Sequence, residues 1–136
     1  MRFFLRQVER HAGRLASLRY RTRRWTYRRF GAQAGAVAAG LSEHDVGPGD
    51  RVLLYAGDSP HWAAAYFATL ARRAIVVPLN PNSTPEQLER IAASADPKLV
   101  VSSRRCPWPA TPMATLELEV AIEALRYSPP SPPPNL

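Results

Sequence analysis

Hydrophobic and polar positions change their spacing along the chain, and the change is clearest between residues 51 and 103. Short, nearly continuous apolar runs there alternate with amphipathic stretches of helical spacing; the runs are RVLLYAG, AIVVPLN and KLVVSS. Such runs are typical of strands buried on both faces. Their alternation with helices predicts right-handed β-α-β-α-β crossovers, and hence an α/β fold with a parallel sheet covered on both faces.

Two helix starts can be read directly from this region. Ser59 is followed by Pro60 in SPHWAAAYFATLAR, which predicts a serine cap with proline in the first helical position. Thr84 is followed three residues later by Gln87, the spacing of a capping box. The second of these helices begins at a loop rich in Asn, Ser and Thr, residues 80–84, which raises the question of a phosphate cradle.

Upstream of residue 51 the pattern predicts a helix, a hairpin and a second helix. Apolar residues between 4 and 16 follow helical spacing beside a row of arginines, and the β-prone pieces ASLRY and RWTY are separated only by RTR. Thr26 is expected to cap a helix that runs to about Ser42. Its inner face is predicted to consist of Phe30, Ala34, Val37, Ala38 and Leu41.

The regular pattern ends near residue 104. Eight of the fourteen prolines follow Cys106, and the last nine residues are SPPSPPPNL, which favours extended polyproline conformation. MATLELEVAIEALRY between the proline clusters predicts one helix over 113–127. We therefore divide the chain into a partial domain, residues 1–104, and a proline-rich linker with one helix, residues 105–136.

Charge and composition restrict the function classes. The net charge of +7 is concentrated in residues 1–29, which hold ten arginines against Glu9 alone. This basic end leaves open a surface helix, a nucleic-acid contact or an anionic membrane surface. The single cysteine excludes an intrachain disulfide and favours a cytoplasmic location. No apolar run approaches the roughly 20 residues of a transmembrane helix.

Candidate chemistry in the sequence is sparse. The turns AGDSP and NPNSTP hold one glycine between them, and no GxxxxGK[ST] loop occurs, so we predict no nucleotide site. His11, His44 and His61 fall on separate elements, which argues against a metal site. Capping explains Ser59 and Ser83 better than nucleophilic catalysis, and Cys106 is interpreted as an exposed lone thiol. We assign no catalytic, cofactor-binding or metal-binding residue.

Several stretches, taken in order, resemble the N-terminal part of the AMP-forming acyl-CoA synthetases and other adenylate-forming ligases. They are VERHAGR (8–14), WTYRRF (25–30), DVGPGDRV (45–52), AGDSPHW (56–62), TLARRAIVVPLNPNSTPEQL (69–88) and DPKLVVSS (96–103). The resemblance covers about residues 5–104. It implies a large α/β domain followed by a small mobile one, and it makes residues 80–84 scaffold.

The resemblance also implies an activity for the full-length family. With ATP, Mg and coenzyme A, these ligases convert a carboxylic acid, here expected to be a fatty acid, to acyl-AMP and then to acyl-CoA. The family's phosphate loop follows a proline-containing linker like SPPSPPPNL, so this chain stops before the expected loop and should be inactive alone. The alternatives are a non-catalytic module whose incomplete sheet docks a protein chain, and a basic nucleic-acid binder that uses residues 2–29.

Two residues depart from the family pattern at helix ends. Arg29 stands where glutamate is usual at the third helical position, so it opposes the helix dipole and cannot complete a capping box with Thr26. Arg73 stands where glycine usually follows the helix, and a positive φ there should cause strain of about 1 kcal/mol. Both departures favour relaxed constraint over a tuned enzyme.

Overall fold

The computed structural model describes residue 10 and residues 15–20, 23–109 and 113–124. The strands are β1 (Leu15–Tyr20), β2 (Arg23–Thr26), β3 (Arg51–Tyr55), β4 (Ile75–Pro78), β5 (Leu99–Ser102) and β6 (Thr115–Glu117). The helices are α1 (Tyr27–Glu43), α2 (Pro60–Ala71), α3 (Pro85–Ala95) and α4 (Leu118–Glu123). The predicted leading helix lies almost entirely outside the described residues, and the proline-rich tail lies wholly outside them.

The strands form the predicted α/β arrangement. β1 and β2 pair as an antiparallel hairpin, which confirms the prediction from ASLRY and RWTY. The remaining strands form one sheet in the order β4-β3-β5-β6, and every pair in it is parallel. The first two crossovers carry helices, α2 between β3 and β4 and α3 between β4 and β5, as the alternation of apolar runs predicts.

Alternate residues of the central strands fill separate cores on the two faces of the sheet. Val52 and Leu54 of β3 pack against α1 and α2, whereas Leu53 and Tyr55 pack on the side of α3. The first core includes Val37, Leu41, Val52, Leu54, Ala65, Ala68, Leu99 and Val101. The second is smaller and includes Leu53, Tyr55, Leu79, Leu88 and Val100. Runs without polar alternation are thus explained by burial on both faces.

The predicted caps are present at three helix starts. Thr26 Oγ1 accepts from the Arg29 N–H at 3.1 Å, and Ser59 Oγ accepts from the Trp62 N–H at 3.2 Å. At α3 both bonds of the capping box form: Gln87 N–H donates to Thr84 Oγ1 at 3.2 Å, and Thr84 N–H donates to Gln87 Oε1 at 2.9 Å. These bonds satisfy backbone donors that a helix N-terminus would otherwise leave unpaired.

The predicted inner face of α1 is largely correct. Phe30, Ala34, Val37 and Leu41 are buried, and Ala38 is partly buried against the first core. The helix also buries Gln33 and Gly40. An ideal Cβ on Gly40 would lie 3.0 Å from Cδ2 of Leu116, so the missing side chain lets Leu116 pack closely on this helix.

The prediction of a single helix over 113–127 is wrong. Residues 115–117 form β6, which pairs with β5, and within the described part of this range, residues 113–124, the α-helix spans residues 118–123. Leu116 and Leu118 both enter the first core, and their separation by two residues suits a strand better than a helix. Residues 113–124 therefore belong to the same sheet and core as residues 51–104, which corrects their assignment to a linker.

β4 is less buried than its apolar sequence predicts. It lies at the end of the described sheet, so Ile75 is 49% exposed. The Ile75 N–H donates to Asp50 O at 2.7 Å and the Leu79 N–H to Leu54 O at 2.9 Å. Because backbone nitrogens alternate along a strand, those of Val76 and Pro78 face the open edge of the sheet. Pro78 has no N–H, so it offers no donor to a strand added at this edge. The edge is therefore poorly suited to strand addition.

Candidate functional site

A crevice lies where the connections of the sheet change direction. β3 leads to β4 on one side, and the chain then returns to β5 on the other side of β3. In open α/β sheets, ligands bind at such a switch point, beyond the carboxyl ends of the strands. The crevice has a volume of about 380 Å³ and is lined by Gly57, Asp58, Ser59, His61, Ser103, Arg104, Arg105 and Glu119.

One wall of the crevice is the N-terminus of α2. Ser59 uses its hydroxyl to accept the cap hydrogen bond of this helix, so the hydroxyl has a structural role. His61 follows in the first turn and is half-buried. Burial lowers its pKa from the ordinary value, with Glu119 acting in the opposite direction and Arg29 adding to the decrease. His61 is therefore poorly suited to provide a positive charge at neutral pH.

The opposite wall is organised around Arg104. Its Nε donates to Glu117 Oε1 at 2.6 Å, and its two terminal nitrogens donate to the Glu123 carboxylate at 3.1 and 3.2 Å. Its backbone N–H donates to Glu119 Oε2 at 3.1 Å. The hydrogen bonds that Arg104 donates to Glu123, and then the one to Glu117, raise its pKa. Because carboxylates already neutralise this guanidinium, it is not an open anion-binding group.

The loop at residues 80–84 does not have the geometry of a phosphate cradle. Its amides bond within the loop: Asn82 N–H donates to Asn80 Oδ1 at 2.9 Å, and Ser83 N–H donates to Asn80 O at 3.0 Å. The Thr84 N–H is used by the capping box, and Pro85 has no N–H. A phosphate cradle needs convergent free amides. These bonds support the interpretation of the loop as scaffold.

The other residues considered from the sequence do not come together. His44 is the C-terminal cap residue of α1, and its Nδ1 lies 3.0 Å from Gly40 O. Ser83 precedes the cap residue Thr84, so the expectation that Ser83 caps α3 is wrong. Cys106 is half-buried against the second core, which corrects its interpretation as an exposed thiol. His11 lies outside the described residues.

The residues relevant to a metal or nucleic-acid site lie partly within and partly outside the described ranges. Among the described residues, no group of three or more His, Cys, Asp or Glu side chains could hold a metal ion. Most of the basic segment, residues 2–29, has side chains outside the described part, so the nucleic-acid alternative stays a prediction. Within the same described ranges, no helix is long and apolar enough to cross a membrane.

The parallel sheet, its covering helices and the switch-point crevice define an open-sheet α/β domain. A model of the family described as AMP-binding enzyme matches residues 4–130, and the chain belongs to this family. This finding confirms the family inferred from WTYRRF and TLARRAIVVPLNPNSTPEQL.

Known relatives extend well beyond this chain. It is similar to anthranilate–CoA ligase of Pseudomonas aeruginosa, with 40% identity over 74 residues, which are 54% of this chain and 14% of that protein. It also matches 3-hydroxybenzoate–CoA/4-hydroxybenzoate–CoA ligase of Thauera aromatica at 41% identity over 63 residues, 46% of this chain and 12% of that protein. The matched parts are thus about one seventh and one eighth of these relatives.

A solved structure shows the same fold. The N-terminal subdomain of Klebsiella oxytoca NpsA in complex with anthranilyl-AMSN superimposes with a TM-score of 0.78 and 25% identity, covering 90% of this chain and 31% of that one. The α/β fold class predicted from the apolar runs is therefore that of the N-terminal region of adenylation enzymes.

Proposed function

We propose that this chain is the N-terminal part of an ATP-dependent carboxylic-acid ligase and contributes scaffold to its large domain. The family match over residues 4–130 carries the proposal. In the proposed reaction, a carboxylate oxygen attacks the α-phosphorus of ATP, pyrophosphate leaves, and the thiol of coenzyme A then displaces AMP from the acyl group. Mg would neutralise the phosphates when bound.

The described residues do not fit ATP as a ligand. The amides of the loop at 80–84 are committed to its own turn and to the capping box. In the crevice Arg105 is an exposed cation, but Asp58 and Glu119 oppose bound phosphate, and Arg104 is paired with carboxylates. We therefore propose that the nucleotide-holding groups belong to the part of the relatives that this chain does not span.

This proposal predicts that the 136-residue chain neither binds ATP with adenine selectivity nor exchanges pyrophosphate into ATP. Adenylyl transfer needs several donors and cations preorganised around the phosphates, whereas the amides at residues 80–84 are used locally and the crevice cations lie beside carboxylates. Calorimetry with ATP and Mg at physiological ionic strength tests binding, since loose attraction to the arginines is screened there. Saturable, adenine-selective binding, or exchange above a heat-inactivated control, would refute the proposal.

We propose a broader class of acid substrate than the sequence resemblance implies. That resemblance gives a fatty acid, whereas two relatives are named for anthranilate and hydroxybenzoates. We therefore propose that the whole ligase takes an aromatic or a fatty acid. Pyrophosphate exchange by the whole ligase, measured with matched series of benzoates and of medium-chain and long-chain fatty acids, distinguishes these classes. Activity on neither series would contradict this part of the proposal.

The exposed apolar surface of β4 supports the proposal that a further protein segment packs on this strand. Ile75 is 49% exposed on the face that α3 covers incompletely, and Pro78 disfavours an added strand at the edge. We propose that further sequence of the same ligase packs on this face, in a cytoplasmic enzyme. A non-catalytic interaction module is the second candidate, and a monodisperse chain that captures the same unrelated protein through Ile75 would favour it.

A further inference from the structure

Residues 113–124, which contain β6 and α4, are attached to the domain by few regular backbone bonds. We refer to them as the edge strap. β6 has three residues and pairs only with β5 among the described strands, and the Val100 N–H donates to Ala114 O at 3.0 Å. α4 has six residues, and no side chain caps its N-terminus. Short elements of this kind are typical of segments that open locally.

The edge strap has two other attachments. Its apolar attachment consists of Leu116, Leu118 and Ala121, which are buried in the first core beside α1. Its polar attachment is Arg104, which belongs to the turn after β5. Glu117, Glu119 and Glu123 all lie on the strap, and all three accept hydrogen bonds from Arg104. One residue outside the strap therefore holds it at three points.

The Arg104 contacts lie next to both the crevice and the only cysteine. Arg104 and Glu119 line the crevice, so separating the strap would widen it. Arg104 also lies in the turn in which the Cys106 N–H donates to Ser103 O at 3.0 Å. Cys106 packs on the second core together with Met113 of the strap. Opening of the strap should therefore expose the Cys106 thiol as well as the crevice.

We propose that the edge strap opens as a unit while β3, β4 and β5 stay paired, and that Arg104 is the latch that keeps it closed. Because the ion pairs of Arg104 are about half exposed, salt weakens them. The closed fraction therefore falls as ionic strength rises. This behaviour makes access to the switch-point crevice dependent on a single side chain.

Thiol labelling of Cys106 in the full 136-residue chain tests the latch. Arg104→Ala should raise the labelling rate roughly fivefold, because the side-chain hydrogen bonds to Glu117 and Glu123 are lost, while the backbone bond to Glu119 is kept. Arg105→Ala is the matched control, since it removes the same charge from the neighbouring exposed position. Arg104→Lys should give an intermediate rate, because an ammonium cannot reproduce the planar fork. Added salt should accelerate the wild type and leave Arg104→Ala nearly unchanged.

Amide hydrogen exchange on the same proteins gives a second readout that does not depend on thiol exposure. Arg104→Ala should accelerate exchange at residues 115–118 and leave β3 unchanged. Leu118→Ala, which weakens the apolar attachment, should accelerate the same strap amides. Equal acceleration of strap and β3 amides would show global unfolding and overturn the proposal. Exchange in Arg104→Ala that equals exchange in Arg105→Ala would show that Arg104 is not a latch.

Discussion

Replacement of Arg73 by glycine should stabilise the protein. Arg73 follows α2 with a φ of 59°, in the left-handed region that the missing family glycine predicts. Its N–H donates to Leu70 O at 2.9 Å, and the Ala74 N–H donates to Thr69 O at 3.2 Å. These two bonds define a Schellman motif, in which glycine is favoured because it has no Cβ to meet the backbone.

The expected gain is the difference between two effects. An L-residue in the left-handed conformation costs about 1–2 kcal/mol. Glycine lowers the free energy of unfolding by about 0.4–1 kcal/mol, because it makes the unfolded chain more flexible. Arg73 is exposed, and the Gly49 N–H bonds to its backbone oxygen, which the substitution keeps. The net gain should therefore be about 0.5–1 kcal/mol, or about 2–4 °C in Tm.

Chemical denaturation and thermal melting of Arg73→Gly measure this gain. Arg73→Ala is the matched control, because it removes the charge and keeps the Cβ that causes the strain. We expect Arg73→Ala to resemble the wild type and Arg73→Gly to exceed both. If Arg73→Gly is no more stable than Arg73→Ala, then the left-handed conformation at residue 73 is not strained and the reasoning fails.

Three further predictions concern substitutions of Arg29, Gln33 and Asp50. Arg29→Glu should add about 0.5 kcal/mol by matching the dipole of α1, and it should raise the pKa of His61 in an NMR titration. Gln33→Met should add about 1 kcal/mol in denaturation, since the buried Gln33 Oε1 has no hydrogen-bond partner in the described structure. The Gly47 N–H lowers the pKa of Asp50, so stability from this bond is present above the ordinary aspartate pKa and is lost as the pH falls through the lowered one. The stability difference between wild type and Asp50→Asn should therefore shrink between neutral and about pH 3, and a constant difference would contradict this.

The sequence was sufficient for the central part of the fold because local and tertiary signals agree there. The caps at Ser59 and Thr84 mark the helix starts, and the apolar runs between the helices are too short for anything except buried strands. The left-handed residue at 73 was also predictable, since the family pattern places a glycine there. In each case the same residues satisfy both the local backbone and the core.

The segment at residues 113–124 was not predictable in this way because its signals conflict. TLELEVAIEAL contains strong helix formers, and as an isolated peptide it would favour a helix. Its first three residues form a strand because β5 offers an unpaired edge and the first core has room for Leu116 and Leu118. Tertiary contacts override propensity here, and the sequence alone does not show that the neighbouring edge is open.

The crevice was not predictable from the sequence either, because it depends on tertiary contacts. Asp58 and Ser59 lie about 45 residues before Ser103 and Arg104 in the sequence, and the two groups meet only because β5 pairs with β3 and not with β4. A parallel sheet with the order β3-β4-β5 would have the same apolar runs and the same caps, but it would separate these groups by a strand. The strand order thus determines the site, whereas the hydrophobic pattern determines only the fold class. The local bonds of the amides at 80–84 can be predicted from the spacing of Asn, Thr, Pro and Gln alone, whereas the residues of the crevice could not be grouped without the strand order.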